Sequence, residues 1–168
     1  MKRILRTQAG LTLIELLITT VIVGLVATMA VPRFQKAYDR MKYKTANRDM
    51  VSSLKLARSM AITDKAQYGV YFDAETRSYT LFFDVTGGSY DYESGVDSVI
   101  RIDTLPSDFQ YVSTDLEGNV LFFRPNGSAD FNGGGNIYTM AYTDGVIALF
   151  DSNVLASTGR VHSESHYY

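Results

Sequence analysis

Residues 10–32 read GLTLIELLITTVIVGLVATMAVP, an apolar run that contains one charged residue, Glu15. If the run is helical, the segment from Leu11 to Val31 rises about 1.5 Å per residue and spans roughly 30 Å, the thickness of a bilayer hydrocarbon core. A carboxylate within such a segment costs on the order of 2.5–3.5 kcal/mol on insertion scales. The run therefore predicts a membrane-spanning helix, and its glutamate needs an explanation.

The flanks of this run allow two ordinary interpretations. Residues 1–10, MKRILRTQAG, are short and basic, so the run could belong to a secretory signal peptide that is cut near Thr28 and Ala30. Alternatively, it is a plain single-span anchor, whose orientation the flanking charges do not fix because residues 33–44 are basic as well. Neither interpretation explains Glu15.

The residues around the glutamate resemble a known leader. Gly10 directly precedes the run, which begins Leu11-Thr12-Leu13-Ile14-Glu15, and this arrangement resembles the leader of type IV pilins and type II secretion pseudopilins. The resemblance implies that a prepilin peptidase cleaves after Gly10 and that Leu11 becomes the new amino terminus, which is usually methylated. Leu11 stands where the family most often has Phe.

The same resemblance assigns assembly roles to three residues of the run. The charge of Glu15 would be balanced by the amine freed on Leu11, within one chain or between neighbours in a filament. Gly24 and Pro32 lie where pilins carry a helix-weakening Gly and Pro. Because Pro32 lacks an N–H, we expect it to kink or locally open the helix.

Beyond Pro32 the sequence predicts a second, amphipathic half of the helix. No Gly or Pro occurs before Gly69, and apolar residues recur every three or four positions as far as about Ile62. We expect the stripe of Met50, Val51, Leu54, Ala57 and Ala61 to pack on a sheet and the mostly polar segment 42–49 to be solvated. Together with the resemblance to pilins, this implies a prepilin leader peptide at 1–10, a transmembrane or filament-core helix at 11–31, an amphipathic stalk helix at 32–63 and a β-rich globular periplasmic domain at 64–168.

The remainder of the chain has the pattern of short strands. The runs rich in Tyr, Phe and Val are Gln67–Asp73, Tyr79–Val85, Ser98–Asp103, Phe109–Ser113, Asn119–Arg124, Asn136–Thr143 and Val146–Asp151. Turn signals separate several of them, and Asp144-Gly145 is a hairpin candidate. Residues 86–98 and 128–135 are interpreted as loops. The predicted fold class is α+β, a long N-terminal helix packed on an antiparallel β-sheet or small sandwich, which agrees with the resemblance to pilins.

Composition narrows the function classes. The net charge of −2 conceals an asymmetry: residues 1–50 hold nine Lys/Arg against three Asp/Glu, whereas residues 51–168 hold seven against fifteen. An acidic globular part repels phosphates, so nucleic acid is not an expected partner. The chain has no Cys, which excludes a thiol nucleophile, a Cys-based zinc site and a disulfide framework.

Three further stretches resemble one branch of the superfamily, the GspH/FimT proteins (type II secretion system protein H-like). They are ARSMAI at 57–62, FFRPNG at 122–127 and GRV at 159–161, which are similar to that branch's ARSxAI, F-x-P-x-G and GR-V stretches. Some relatives assist DNA uptake through a basic G-R-x-R stretch. Here His162 stands where the second Arg would be, so phosphate contact is expected to be weak.

Two polar groupings near the carboxyl end could in principle bind a metal. Asp130, Asn132 and Gly134 loosely resemble a calcium loop but lack its later bidentate Glu, so a plain turn is expected. Another set, His162, Glu164 and His166, would share one side of an extended chain. That set lies in a polar terminal tail, which is expected to be flexible.

Signals for catalysis are missing from the sequence. It has no nucleophile elbow and no phosphate-binding glycine loop. We therefore expect no catalytic residue, no metal site and no cofactor. A catalytic pair of carboxylates among the acidic residues beyond position 50 stays open as an alternative.

The resemblance implies a non-enzymatic filament subunit. It would enter the lipid of the bacterial inner membrane by a single pass, with its globular domain in the periplasm, and then join a pseudopilus or pilus. Its partners would be the other minor and major pseudopilins, the prepilin peptidase and the inner-membrane assembly platform. The expected function is a minor pseudopilin of a type II secretion pseudopilus, in protein export across the outer membrane. The alternatives are a type IV pilus minor pilin that primes assembly and, as the last choice, a DNA-uptake pilin.

Overall fold

A computed structural model describes residues 11–87, 91–130, 133–143 and 145–168, so the predicted leader lies outside the described residues. The described chain forms two compact units, one that ends at Tyr38 and one that comprises Asp39–Tyr168. A long N-terminal helix is followed by antiparallel strands, which confirms the predicted α+β class. The finer division at residues 31/32 and 63/64 stays a prediction.

The helix α1 is continuous over Leu13–Asp64, one residue beyond the predicted limit of the stalk. Pro32 lies inside it, and the helix does not open there. A proline removes one N–H donor from the ladder, and the turns on both sides of Pro32 keep their helical form. Lys65 follows the helix with a φ of 55°, the left-handed conformation that closes many helices.

The described strands form two antiparallel sheets. Sheet A has the order β3-β2-β1-β5-β6, and sheet B has the order β4-β7-β8-β9. The strands are β1 Tyr68–Asp73, β2 Ser78–Phe83, β3 Ser98–Thr104, β4 Phe109–Leu116, β5 Val120–Phe123, β6 Ala129–Asp130, β7 Gly133–Thr143, β8 Val146–Leu155 and β9 Arg160–Tyr167, with a 3₁₀ turn at Glu117–Asn119. All seven predicted strands are present, and the predicted hairpin joins Thr143 to Val146.

Two predictions about the end of the chain were wrong. The tail that was expected to be flexible is β9, which pairs along its whole length with β8 from Leu155↔Arg160 to Ala148↔Tyr167. The segment 128–135, interpreted as a loop, contains β6 and the first residues of β7. Both errors have one cause: these short strands carry little apolar alternation and are stabilised by pairing with distant strands.

The second half of α1 supplies one wall of the main core. Met50, Leu54, Ala57 and Ala61 are buried against inward-facing side chains of both sheets, as the predicted stripe requires. Val51, in contrast, is half-buried. Tyr43 and Asn47 are buried too, which corrects the expectation that segment 42–49 is solvated. The Tyr43 ring packs edge to face against Phe109 of β4, with 5.7 Å between the ring centroids. The sequence does not indicate this contact because the neighbours of Tyr43 in the chain are polar.

Sheet A is also covered on its outer side. Phe82, Val120 and Phe122 form a second buried cluster, against which Tyr71 and Tyr92 pack. Phe82 lies directly across from Gly69 of β1, and a Cβ at Gly69 would lie only 2.7 Å from Phe82 Cε1. Gly69 is therefore required because the Phe82 ring occupies the space of its missing side chain.

A Gly69→Ala substitution should lower the free energy of unfolding by about 1–3 kcal/mol, because the added methyl overpacks a closed aromatic cluster. Urea titration of the full chain in detergent should show a lower midpoint with an unchanged slope. The double variant Gly69→Ala with Phe82→Leu should lose less than the sum of the two single losses, since the pair is in contact. Strict additivity would contradict this account of Gly69.

Candidate assembly interface

The helix segment from Leu13 to Val31 presents apolar side chains that no other described residue covers. Its large residues are more than half exposed almost throughout, with Leu13 at 83% and Met29 at 73%. By length and composition this helix could cross a membrane. A helix that is apolar on all sides is stable only in lipid or among similar helices. The exposed surface therefore marks the part of the molecule that a bilayer or neighbouring chains must cover.

The start of α1 explains how Glu15 is accommodated. Thr12 precedes the first helical residue, and the backbone N–H of Glu15 donates to Thr12 Oγ1 at 3.3 Å. The first turn closes when Leu16 N–H donates to the Thr12 carbonyl at 3.1 Å. Thr12 is thus the N-cap and Glu15 the third helical residue, where the helix dipole favours a negative charge. The spacing Thr-x-x-Glu is a capping signal that the sequence analysis missed.

Three of the four threonines of the apolar run donate their hydroxyls within their own helix. The hydroxyls of Thr19, Thr20 and Thr28 donate to the carbonyl three residues earlier, at 2.9, 2.9 and 2.8 Å. A polar group without a partner is costly in hydrocarbon, and these bonds remove that cost. Among the side chains described from Leu11 to Val31, the Glu15 carboxylate is therefore the one polar group with no hydrogen bond to another described residue.

The other predicted assembly residues lie apart from this end. Leu11, 70% exposed, directly precedes the cap, four positions before Glu15. Gly24 and Pro32 lie farther along the same helix, about 20 and 32 Å from Leu11 at helical rise. A Cβ at Gly24 would meet nothing within 4 Å, so no contact within the chain requires glycine there. Gly10 lies outside the described residues.

In the globular unit the three branch motifs meet at Arg58. This residue lies on α1, and its Nε donates to the carbonyl oxygens of Gly127 at 3.0 Å and of Thr158 at 2.9 Å. Gly127 lies in the turn between β5 and β6, and Thr158 in the turn between β8 and β9. The bonds connect the helix to one turn from each sheet. Since a charged donor serves two carbonyls, the contact is a strong one.

Both turns need glycine where they approach Arg58. Gly127 has a φ of 81°, and a Cβ there would lie 2.7 Å from Ile62 Cδ1. Gly159 has a φ of 61°, and its Cβ would lie 3.1 Å from Arg58 Cδ and closer still to the Gly127 carbonyl oxygen. We call Arg58, Gly127 and Gly159, with their carbonyl partners, the Arg58 clasp. It joins α1 to one turn from each sheet of the globular unit.

Comparison with known families agrees with these features. Residues 5–31 match the model described as the prokaryotic N-terminal methylation motif, and residues 46–156 match the model described as type II transport protein GspH. The chain belongs to the GspH family. With the apolar helix and the methylation motif, it is a type IV pilin-like, membrane-anchored pseudopilin. No curated protein and no solved structure matches the chain.

The GspH family is a family of structural pseudopilins and is not known for enzymes. In the described part of this GspH-family chain, no group of three or more Asp, Glu or His side chains is placed to hold a metal ion. Asp130 of the suggested calcium loop instead forms an ion pair with Arg124, and Asn132 lies outside the described residues.

The alternating His162, Glu164 and His166 do share one face of β9. The His162 Nε2 atom lies 3.3 Å and the His166 Nε2 atom 4.0 Å from Glu164 carboxylate oxygens. All three side chains are more than half exposed, so this GspH-family chain uses them as solvated surface pairs of small energetic value.

A salt bridge at the start of the globular unit was missed by the sequence analysis. Lys42 Nζ lies 2.5 Å from Asp108 Oδ2, which joins α1 to the loop before β4. The hydrogen bond to Asp108 raises the pKa of Lys42 above its ordinary value. The two residues are far apart in the sequence, so no local signal predicts the pair.

Proposed function

We propose that this GspH-family chain is a minor pseudopilin, a structural subunit of a type II secretion pseudopilus that takes part in protein export across the outer membrane. The observation that carries the proposal is the uncovered apolar helix whose one charge, Glu15, lies at its capped start. In a plain anchor that carboxylate would serve the helix start alone, whereas a filament subunit can also pair it with a neighbour's amine.

In the proposed mechanism, the prepilin peptidase cleaves after Gly10 and frees a positive amine on Leu11. The apolar helix rests in the inner membrane by a single pass, with the globular unit in the periplasm. On assembly the helix leaves lipid for a filament core of similar helices, so apolar surface remains covered throughout. Glu15 of one subunit pairs with the Leu11 amine of the next, and this pair sets the axial position of the subunit.

Small residues along the helix support close packing in that core. Ala30 and Ala37 share one side of α1 with Val26, Met29 and Phe34, where they leave an open apolar groove. Small residues let neighbouring helices approach closely. Gly24 would serve the same purpose, since no contact within the chain requires it. The proposed partners are the major and the other minor pseudopilins and the assembly platform.

Deletion of the gene for this chain in its host tests the proposal. Expression of the full-length chain in the deletion strain is the complementation control. We expect the extracellular protein profile to lose the substrates of type II secretion while surface pili and twitching motility remain. Loss of pili with normal export would show a type IV pilus minor pilin instead. Loss of DNA uptake alone would show a DNA-uptake pilin.

A further inference from the structure

A basic groove runs along the globular unit between α1 and the edge strand β9. Lys44, Arg48 and Lys55 line it from the helix, and Ser163 and Ser165 line it from the strand, around a volume of about 390 Å³. The three cations follow one side of α1 and are exposed. Within the described residues none of them forms an ion pair, unlike Lys42, Arg101 and Arg124. The groove is thus an unpaired positive surface on a domain that is acidic elsewhere.

A buried polar side chain lies in the wall of the same groove. Asn47 lines it and is 7% exposed. Its Nδ2 donates to Ser163 Oγ at 2.9 Å, and Ser152 Oγ donates to the same Ser163 oxygen at 2.9 Å. The Asn47 Oδ1 atom, in contrast, has no hydrogen-bond partner among the described residues. A buried amide oxygen without a donor is costly, so the wall of the groove contains an unsatisfied polar group.

The adjoining edge of β9 offers backbone groups as well. Ile147 and Tyr168 exchange both backbone hydrogen bonds, at 3.0 and 3.1 Å. Directly opposed residues of an antiparallel pair alternate between exchanging two bonds and none. The residues of β9 at 161, 163, 165 and 167 therefore direct their N–H and C=O groups away from β8, and no other strand of the described residues pairs with that side of β9. This open edge can accept a further strand.

The groove and the open edge run in the same direction. The Arg40 guanidinium lies over the Tyr167 ring at 5.9 Å, while Asn47 bonds Ser163 seven residues farther along the helix. The strand β9 therefore runs alongside α1, antiparallel to it. Alternate residues of a strand are about 6.8 Å apart and helical residues four apart about 6 Å. An added strand with an acidic residue at every second position would thus set its carboxylates near Lys44 and Arg48.

We propose that the basic groove and the open edge of β9 bind an extended, carboxylate-bearing segment of a partner protein, which adds a fifth strand to sheet B. The added strand bonds the backbone at Ser163 and Ser165, and its acidic side chains face Lys44, Arg48 and Lys55. The phosphate–sugar backbone of DNA has acceptors only, so it cannot supply the alternating donors and acceptors that the open edge of β9 requires. This surface goes beyond the proposed function and holds for either kind of filament.

Binding of a defined peptide to the full chain in detergent micelles tests the proposal. The probe is a fluorescent peptide of alternating Thr and Glu, about eight residues long, the length of an ordinary strand. We expect anisotropy to report binding that weakens with added salt. The double reversal Arg48→Glu with Lys55→Glu should raise Kd at least about tenfold. As a charge control, Lys65→Glu alters an exposed lysine outside the groove and should leave Kd within about twofold.

A matched pair of variants at Ser165 tests what the open edge of β9 contributes to peptide binding. Ser165→Pro removes an N–H that β8 does not use, whereas Ser165→Ala keeps it, so only the proline variant should lose binding. If the proline variant misfolds by circular dichroism, the wild-type chain with a probe N-methylated at alternate amides replaces it, and the methylated probe should not bind. Equal binding of a Thr-Lys peptide, unchanged binding of the N-methylated probe, or binding of single-stranded DNA but not of the peptide would each overturn the proposal.

Discussion

A Gly159→Ala substitution is expected to lower the free energy of unfolding of the globular unit by about 2–4 kcal/mol, the sum of a left-handed backbone cost and of overpacking. Gly159 adopts a φ of 61° in the turn before β9, and an added Cβ would press on the Gly127 carbonyl oxygen and on Arg58. Because backbone atoms of the two turns are in contact at this point, neither turn can move away from the added Cβ without breaking its contacts with the other. The Arg58 clasp would open.

The measurement is urea unfolding of the full chain in detergent, followed by circular dichroism, with Gly95→Ala as the matched control. Gly95 has a φ of 86°, and a Cβ there would meet nothing within 4 Å. The control isolates the backbone cost and should lose only about 1–2 kcal/mol. Equal losses in the two variants would contradict the clasp, because the difference between them measures the contact with Gly127 and Arg58.

A Glu15→Ala substitution is expected to leave membrane insertion and cleavage intact but to reduce incorporation into filaments by at least about a hundredfold. Removing one member of a buried charge pair costs about 3–5 kcal/mol, since the other charge is left alone in a dry environment. In the proposed filament that other charge is the Leu11 amine. Without Glu15 the helix still caps through Thr12, so the isolated subunit remains folded.

Filaments sheared from cells and the membrane fraction should be compared by quantitative immunoblot. Thr19→Ala is the control in the same helix, because the Thr19 hydroxyl bonds only its own helix and its loss should leave incorporation unchanged. Glu15→Gln separates charge from shape and should behave like Glu15→Ala. Normal assembly of either Glu15 variant would show that the carboxylate serves the helix start alone.

Much of the architecture could be predicted from local patterns. The apolar run and the spacing of Leu54, Ala57 and Ala61 determine α1 and its buried side, and alternation in strands such as Val146–Leu155 gives the sheet. The strand β9 was not predicted from the sequence because its inward positions include Ser163 and Ser165, so the strand lacks apolar alternation. Its stability comes from pairing with β8, which is not a property of its own sequence.

The candidate sites show the same division between local and distant causes. The leader motif places Gly10, Leu11 and Glu15 from adjacent residues alone. In the Arg58 clasp, Arg58 bonds partners that follow it in the sequence by 69 and by 100 positions. The three branch motifs could therefore be recognised separately, but their common contact could not be predicted. Asn47 likewise looked solvated among charged neighbours. Its burial depends on β9, which the sequence did not indicate.

The mass of the mature chain tests the central claim most directly. The full-length chain should be expressed in a host that has the prepilin peptidase, extracted from membranes and measured intact, beside a Gly10→Val variant. A chain that begins at Leu11, with or without one added methyl group, and a Gly10→Val chain that keeps residues 1–10, are the results that this account predicts. A wild-type chain that begins at Val31, or one that keeps its first ten residues in that host, would contradict it.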